Sequence, residues 1–575
     1  MIKKIITSIK EIDLWRKLFL FYIIIYTILA ALEGFFNGLS AAIILPFFLG
    51  FLSESKSVFF HNTFKWLPDI GISLSVSGAI LVSLYALKIF FTFLQNIMNI
   101  YIQQTLLMNI KKRKVKSIFS VPLQAIEKQR VGKIVQFINY DSHYAATTIG
   151  SLSSMINKII IIISALCVAF MINYKMTFYV LLLYIGVAFV LKTIFKKVEK
   201  YSRIALNYRN QISTTITEKL HNIRFVKSIG YELNEYLNLC KDLHSYKRTE
   251  IQGGKWGAFG KLLPEILMLV FFIIIVVFLN STFIEFSVIT TQLLPILMII
   301  NRLNSPVSGL NYNWISIKNT YPSLEMFVND LEANKSVESY DFLNDTTIQK
   351  SQITGIKSIQ LDNIVFYYDQ LCIINDFSLK IQKGTPIIIR GPSGSGKSTI
   401  AHLIRGLIKP QKGNIFINKI SIDKLNRNDY SNKIGYATQD SCVFHGTIRN
   451  NLTYGLANNI PDKDIWEALK KTSANDFVEN LHDGLDAVIS ESGSSLSGGQ
   501  KQLLALTRIL LRNPEIIILD EITSGVDIEK RQVIKNLLSE LKNDKILLII
   551  THDIRFKIDH ALVIELTKKE LQKKY

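Results

Sequence analysis

Cysteine is scarce in this chain: Cys167, Cys240, Cys372 and Cys442 make four, with no CxxC pair and no histidine cluster at ligand spacing. Neither a zinc site nor a disulfide framework is indicated. Acidic residues are also in deficit, 46 against 66 lysines and arginines, leaving a formal charge of +20. Such an excess raises the question of nucleic acid. The basic residues, however, sit in blocks flanking apolar runs, where loop-charge bias and anionic lipid place them. Long apolar runs are missing beyond about residue 315, and the rest has the composition of an ordinary α/β domain. A cleavable leader is not expected either. Lys3, Lys4, Lys10, Arg16 and Lys17 precede an apolar stretch over 18–48 that is too long for one and lacks a prompt small-residue cleavage site. It reads as a retained membrane helix.

What is present is six stretches long enough to cross roughly 30 Å of hydrocarbon, which takes about 20 apolar residues. They run over 18–48, 71–108, 147–171, 176–195, 258–279 and 286–310. The connections after the second and fourth are long and basic, opening with Lys111, Lys112, Arg113, Lys114 and Lys116, and with Lys196, Lys197, Lys200, Arg203 and Arg209. Loop charge therefore puts the N-terminus, both long connections and everything after the sixth span in the cytoplasm. Both long connections keep a helical pattern, the first without a break until Pro122 and Gly132. Spans two to five should continue past the lipid as helices, with crossing turns near 127–134 and 222–232. A domain of six spans over 1–330, a linker over 331–357 and a second domain over 358–575 is the expected division.

Ionisable residues within the spans cost about 2.5–3.5 kcal/mol each, so Glu33, Lys88, Lys261, Glu265 and Arg302 are candidates for function. Lys261 and Glu265 stand i,i+4 on one helix face, and both an internal pair and a substrate contact are open there. For Lys88 and Arg302, which have no partner nearby in sequence, snorkelling to an interface and lining a water-filled cavity are equally open.

Beyond residue 357 the period changes. Residues 358–368 and 373–381 alternate as half-buried strands, and 385–390 is a short apolar strand of the buried parallel kind. It runs into Gly391-Pro392-Ser393-Gly394-Ser395-Gly396-Lys397-Ser398-Thr399, followed by a helical pattern over 400–407. That is GxxxxGK[ST] between a strand and a helix, the context the motif requires. Glycines let backbone N–H groups turn toward phosphates at a helix N-terminus. Lys397 would reach the outer phosphates of ATP, and the Ser398 hydroxyl would ligate Mg²⁺. A second apolar strand, 515–519, ends in Asp520 and Glu521, an acid suited to Mg²⁺ and a second suited to directing the attacking water.

Leu496-Ser497-Gly498-Gly499-Gln500, twenty residues before Asp520, matches the LSGGQ signature of the ATP-binding-cassette family. The whole chain resembles that family's exporter half-transporters, six helices followed by one cassette. The resemblance implies an α-helical transmembrane domain joined to an α/β P-loop ATPase. It also implies that Tyr368 stacks on adenine, that Gln439 touches Mg²⁺, that 524–527 forms the D-loop, and that His552 senses the γ-phosphate. In this family the signature loop of one cassette completes the ATP site of another, so the resemblance implies a dimer in the lipid bilayer. With Glu521 and His552 both present a homodimer is the economical form, and a heterodimer with a degenerate partner stays open. Three departures stand out: Gly525-Val526 for Ala-Leu in the D-loop, Asp553 for Arg after the switch histidine, and Ser490-Glu491-Ser492-Gly493 before the signature.

The membrane half is similar to bacterial flippases of lipid-linked oligosaccharides. Glu33 with Ile44-Leu45-Pro46-Phe47 matches their first-helix pattern, and 64–70 suits their short external helix. Lys88, Lys261 and Arg302 fall where that group carries arginines facing the cavity. Three cations suit an anionic pyrophosphate, although two of them are lysines and lack the bidentate fork. The implied cargo is an amphipathic, anionic, lipid-linked molecule; export of a peptide, lipid or drug by the same engine is the alternative.

Overall fold

In the computed structural model the described residues are 17–52, 74–127, 131–172, 174–281, 294–336, 353, 355–438, 441–456, 460–489, 496–522 and 525–566. The chain divides into two compact units, Met1–Tyr340 (less the three residues at 122–124) and Asp341–Tyr575.

The first unit is all helix. Its six long elements are α1 (Lys17–Leu52), α2 (Leu74–Ser120), α3 (Ser142–Ile172), α4 (Tyr174–His221), α5 (Glu232–Ser281) and α6 (Leu294–Ser336). At about 1.5 Å per residue, the 47 residues of α2, 48 of α4 and 50 of α5 run far beyond a bilayer's hydrocarbon. The helical extensions expected of the long connections are thus observed. By length and composition, Gly78–Ser120 and Val131–Ser164 qualify as spans among the described residues. Short helices at Leu123–Glu127 and Ile223–Ser228 mark the turns at the far ends of the extensions. A second short helix, Val131–Gln136, leads through a π-helical turn, Phe137–Asp141, into α3. The sixth helix continues to Ser336, six residues into the stretch read as linker, because Leu331 and Asn334 are still buried there.

Two kinds of contact hold this unit. Around Ile102, Leu106, Ile110, Phe137, Leu324 and Phe327 the unit has an apolar core, with Phe137 stacked on Phe327 at 5.2 Å. Between α3 and α6 lies a ladder of side-chain hydrogen bonds: Thr148 to Thr320 at 2.8 Å, Ser151 with Ser316 at 3.0 Å, and Asn313 to Ser154 at 2.8 Å. The rungs recur about one helical turn apart, as the antiparallel packing of two helices demands.

The second unit opens with the antiparallel strands β1 (Ser358–Tyr368) and β2 (Leu371–Gln382). Next come β3 (Ile387–Arg390), α7 (Lys397–Arg405), β4 (Lys412–Ile417), β5 (Ile420–Ser421), β6 (Ile434–Ala437), β7 (Gly446–Thr447) and β8 (Val488–Ile489). The signature helix α8 (Gly498–Arg512), β9 (Ile516–Asp520), α9 (Ile528–Leu541), β10 (Ile546–Ile550) and β11 (Leu562–Glu565) complete it. A parallel sheet ordered β11-β3-β10-β9-β6 forms the centre, and β2-β1-β4-β5 forms a second, antiparallel sheet. The near-continuous isoleucines of the central strands follow from burial on both faces. Ile387, Ile389, Ile516, Ile518, Ile546, Leu548 and Ile550 face one core; Ile388, Ile517, Leu519, Leu547 and Ile549 face the other.

Candidate ATP site

Open parallel sheets bind ligands at the carboxyl ends of their strands, and here three adjacent ends carry the expected groups. Ile550 at the end of β10 pairs with Ile389 of β3 on one side and with Asp520 of β9 on the other. The loop 391–396 after β3, the acids at the end of β9 and His552 just past β10 therefore share one edge. That edge is parallel-sheet geometry, which no single motif announces.

Lys397 is buried in the first turn of α7 and donates to the carbonyls of Gly391 and Pro392, both at 2.9 Å. Thr399 is buried in the same turn, while Ser393 and Gly394 are in the loop before it. Gly391 has φ +153°, and a Cβ there would lie 2.5 Å from the Leu566 carbonyl oxygen and 2.7 Å from Ser395 Oγ. Only glycine fits. Ser395 Oγ is itself buried with no hydrogen-bond partner among the described residues, and the loop ends at the N-terminus of α7, which attracts anions. A polyphosphate suits this cradle. Tyr368 closes β1 edge-on to Phe366, at 4.9 Å between ring centroids. Its hairpin partner β2 lays Ile373 where a Cβ on Gly396 would stand only 3.2 Å away.

Asp520 accepts a hydrogen bond from Ser398, so the hydroxyl and the carboxylate assigned to Mg²⁺ are in contact. Burial pushes the Asp520 carboxyl above its ordinary value, the neighbouring Glu521 charge adds to the rise, and the Ser398 hydroxyl opposes it. Tyr436 of β6 also bonds to Asp520, and burial holds its own hydroxyl well above the usual tyrosine range. The structure sets His552 Nδ1 3.4 Å from Glu521 Oε1. Glu521 adopts φ +53°, a left-handed conformation uncommon for a residue with a side chain. Gln439 lies outside the described residues, as do Ser490-Glu491-Ser492-Gly493 and Ser524.

Ser497 caps α8 through a full capping box: Ser497 Oγ accepts the Gln500 N–H at 3.2 Å, and Gln500 Oε1 accepts the Ser497 N–H at 2.8 Å. The signature thus sets the start of its own helix, besides any contact it makes elsewhere. Gly498 opens that helix, and a Cβ on Gly499 would stand 2.4 Å from the Gly525 carbonyl oxygen. Sequence reading missed two residues that bind the D-loop. Gln502, buried on α8, reaches Glu521 and Gly525. Arg531 on α9 donates to Asp553 at 2.9 Å and to the Val526 carbonyl at 3.3 Å. The acid at 553 is thereby accounted for: it is the counter-charge of Arg531. Asp553 itself was the available signal.

In the membrane unit, Lys88 is half-buried on α2 with Nζ 5.1 Å from the Tyr85 ring centroid. Lys261 on α5 is exposed, and its Nζ lies 4.3 Å from the ring centroid of Tyr312 on α6. The pairing of Lys261 with Glu265, open on sequence, is not what forms. An aromatic face across the helix boundary holds the cation instead. Glu33 is buried with Oε2 unpartnered. The Arg302 side chain and residues 64–70 lie outside the described residues.

Strand edge, glycine cradle and signature helix define a P-loop ATPase unit, carried on a chain with a bundle of long apolar helices. The family models agree: the ABC transporter transmembrane region matches residues 16–307 and the ABC transporter ATPase model residues 374–524. The chain belongs to the ABC transporter family, as an exporter whose ATPase domain faces the cytoplasm and couples ATP hydrolysis to transport. It is 26% identical over 508 residues, 86% of this chain and 84% of the other, to an ATP-dependent lipid A-core flippase of Haemophilus influenzae. A multidrug resistance ABC transporter ATP-binding and permease protein of Lactococcus lactis is 38% identical over 216 residues, 37% of each chain. A bacterial Atm1-family ABC exporter with ATP bound has the same fold, with a TM-score of 0.77 at 21% identity over 96% of this chain and 95% of that one.

Proposed function

We propose that two copies of this chain form a homodimeric exporter in a bacterial inner membrane, moving an amphipathic, anionic, lipid-linked molecule. Each ATP is held between Lys397 of one copy and Ser497 of the other. Glu521 takes a proton from the attacking water and His552 orients the reacting phosphate. Ser398, Gln439 and Asp520 hold Mg²⁺, which when bound neutralises phosphate charge. Joining of the two ATPase units drives the helical extensions, and hydrolysis releases them.

The observation that carries the ATP-site assignment is the contact of His552 with Glu521 at the strand edge that also bears the cradle. The cargo assignment rests on cations placed within apolar helices, Lys88 on α2 and Lys261 on α5, with Arg302 on α6. The relative named as a flippase over most of its length favours lipid cargo. The multidrug relative matches over about a third of the chain and favours only a shared engine. In nanodiscs, a polyprenyl-pyrophosphate glycan should raise ATP turnover, and Lys88→Ala with Arg302→Ala should abolish the rise. Stimulation untouched by that double change would refute the cation-lined cavity.

A further inference from the structure

Glu521 carries two demands that conflict. Its carboxyl must be aimed, yet its backbone occupies the left-handed region, which a non-glycine residue leaves unless its neighbours hold it. The structure holds it from both sides. The Glu521 N–H donates to the Ile550 carbonyl at the end of β10, 2.9 Å away. Its carbonyl accepts from Gln502 Nε2 at 3.4 Å. The same amide uses its other end: Gln502 Oε1 accepts the Gly525 N–H at 3.2 Å. Gln502 is only 6% exposed, so the two bonds form away from competing water.

The glycine at 525 belongs to this arrangement. A Cβ there would stand 3.3 Å from Gln502 Oε1 and 3.4 Å from the Gly499 nitrogen. Its absence gives the amide and the signature turn close access to the loop backbone. The D-loop departure noted in the sequence and the buried glutamine therefore fit one another.

We propose that Gln502 is a positioning residue for hydrolysis. One amide, rooted in the signature helix, fixes the backbone of the base and the loop that follows it. It acts through Glu521. Because Gln502 lies five residues along the helix that Ser497 caps, displacement of the signature turn is passed directly to Glu521. The inference rests on Glu521 being the base.

The test uses the full chain in nanodiscs, with Gln502→Met, which keeps bulk and loses both bonds, and Gln502→Glu, which keeps the acceptor and loses the donor. The account expects kcat for ATP to fall about tenfold or more in Gln502→Met, with KM and nucleotide affinity within about twofold of the parent. Gln502→Glu should fall between the two. The decisive arm repeats Gln502→Met in the Glu521→Gln chain, where residual turnover should change by less than about twofold. An equal proportional loss in both backgrounds, or a KM that rises while kcat holds, would overturn the proposal and leave the base assignment standing. Parental turnover in Glu521→Gln alone would take down both. Unchanged thermal midpoints separate misplacement from misfolding, with Gln502→Glu as the second check should Gln502→Met unfold.

Discussion

Polar groups are buried in both halves of this molecule, but they are gathered differently. In the ATPase unit the reacting groups come from short contiguous loops at three neighbouring strand ends: 391–399, 520–521 and 551–552. In the membrane unit they arrive one per helical turn from helices far apart in sequence, as in the ladder from Thr148–Thr320 to Asn313–Ser154. Among the described residues, Glu33 Oε2, Gln95 Nε2 and Ser308 Oγ are buried there without a hydrogen-bond partner. A fixed reaction on a fixed substrate can be served by compact loops. The bundle spreads its polarity along packed helix faces, about one bond per turn. Single substitutions should therefore be severe in the first half and graded in the second.

The largest effect is expected at Glu521. Glu521→Gln should bind ATP and lose about a hundredfold or more in kcat, measured as phosphate release in nanodiscs. Lys397→Ala should fail earlier. Removal of a charge-assisted contact should weaken nucleotide affinity by about tenfold or more, read by a fluorescent ATP analogue. A mild loss at either position would erase the contrast between the two halves.

Asp520 sharpens it through stability. Its carboxyl is raised by burial, so the folded state holds the proton more tightly than the unfolded chain. The stability this confers is complete at low pH and is lost as pH rises through the raised value. Asp520→Asn has no charge to bury. Without nucleotide it should be more stable than the parent at neutral pH, although inactive. The gap should close below the ordinary carboxylate range, which thermal unfolding across pH will follow. A gap that widened on acidification would contradict the assigned direction.

The smallest effect belongs to the ladder. Ser154→Ala and Asn313→Ala should each cost little, with a coupling of about 0.6 kcal/mol in a double-mutant cycle of thermal stability. A coupling of several kcal/mol would make this seam as concentrated as the ATP site.

The same contrast explains what could be read in advance. The P-loop, the acid pair and the signature are contiguous, so residue order alone brought Lys397, Asp520, Glu521 and Ser497 into view. The helical extensions were legible because α2 and α4 keep an unbroken helical pattern past the lipid. Arg531 could be found only through its counter-charge Asp553, and Gln502 escaped notice because its partners are backbone atoms of another segment, the carbonyl of Glu521 and the N–H of Gly525. No residue type marks such a partner. Lys261 shows the limit from the other side. Its i,i+4 neighbour Glu265 was the visible candidate, but Tyr312, on a different helix, holds the ammonium.

The account stands most directly on the need for two copies. Full-length chains reconstituted one per nanodisc and two per nanodisc should differ in ATP turnover per chain by about a hundredfold or more if, as proposed, Lys397 and Ser497 of one copy serve different nucleotides. Equal turnover per chain in the two preparations would contradict it.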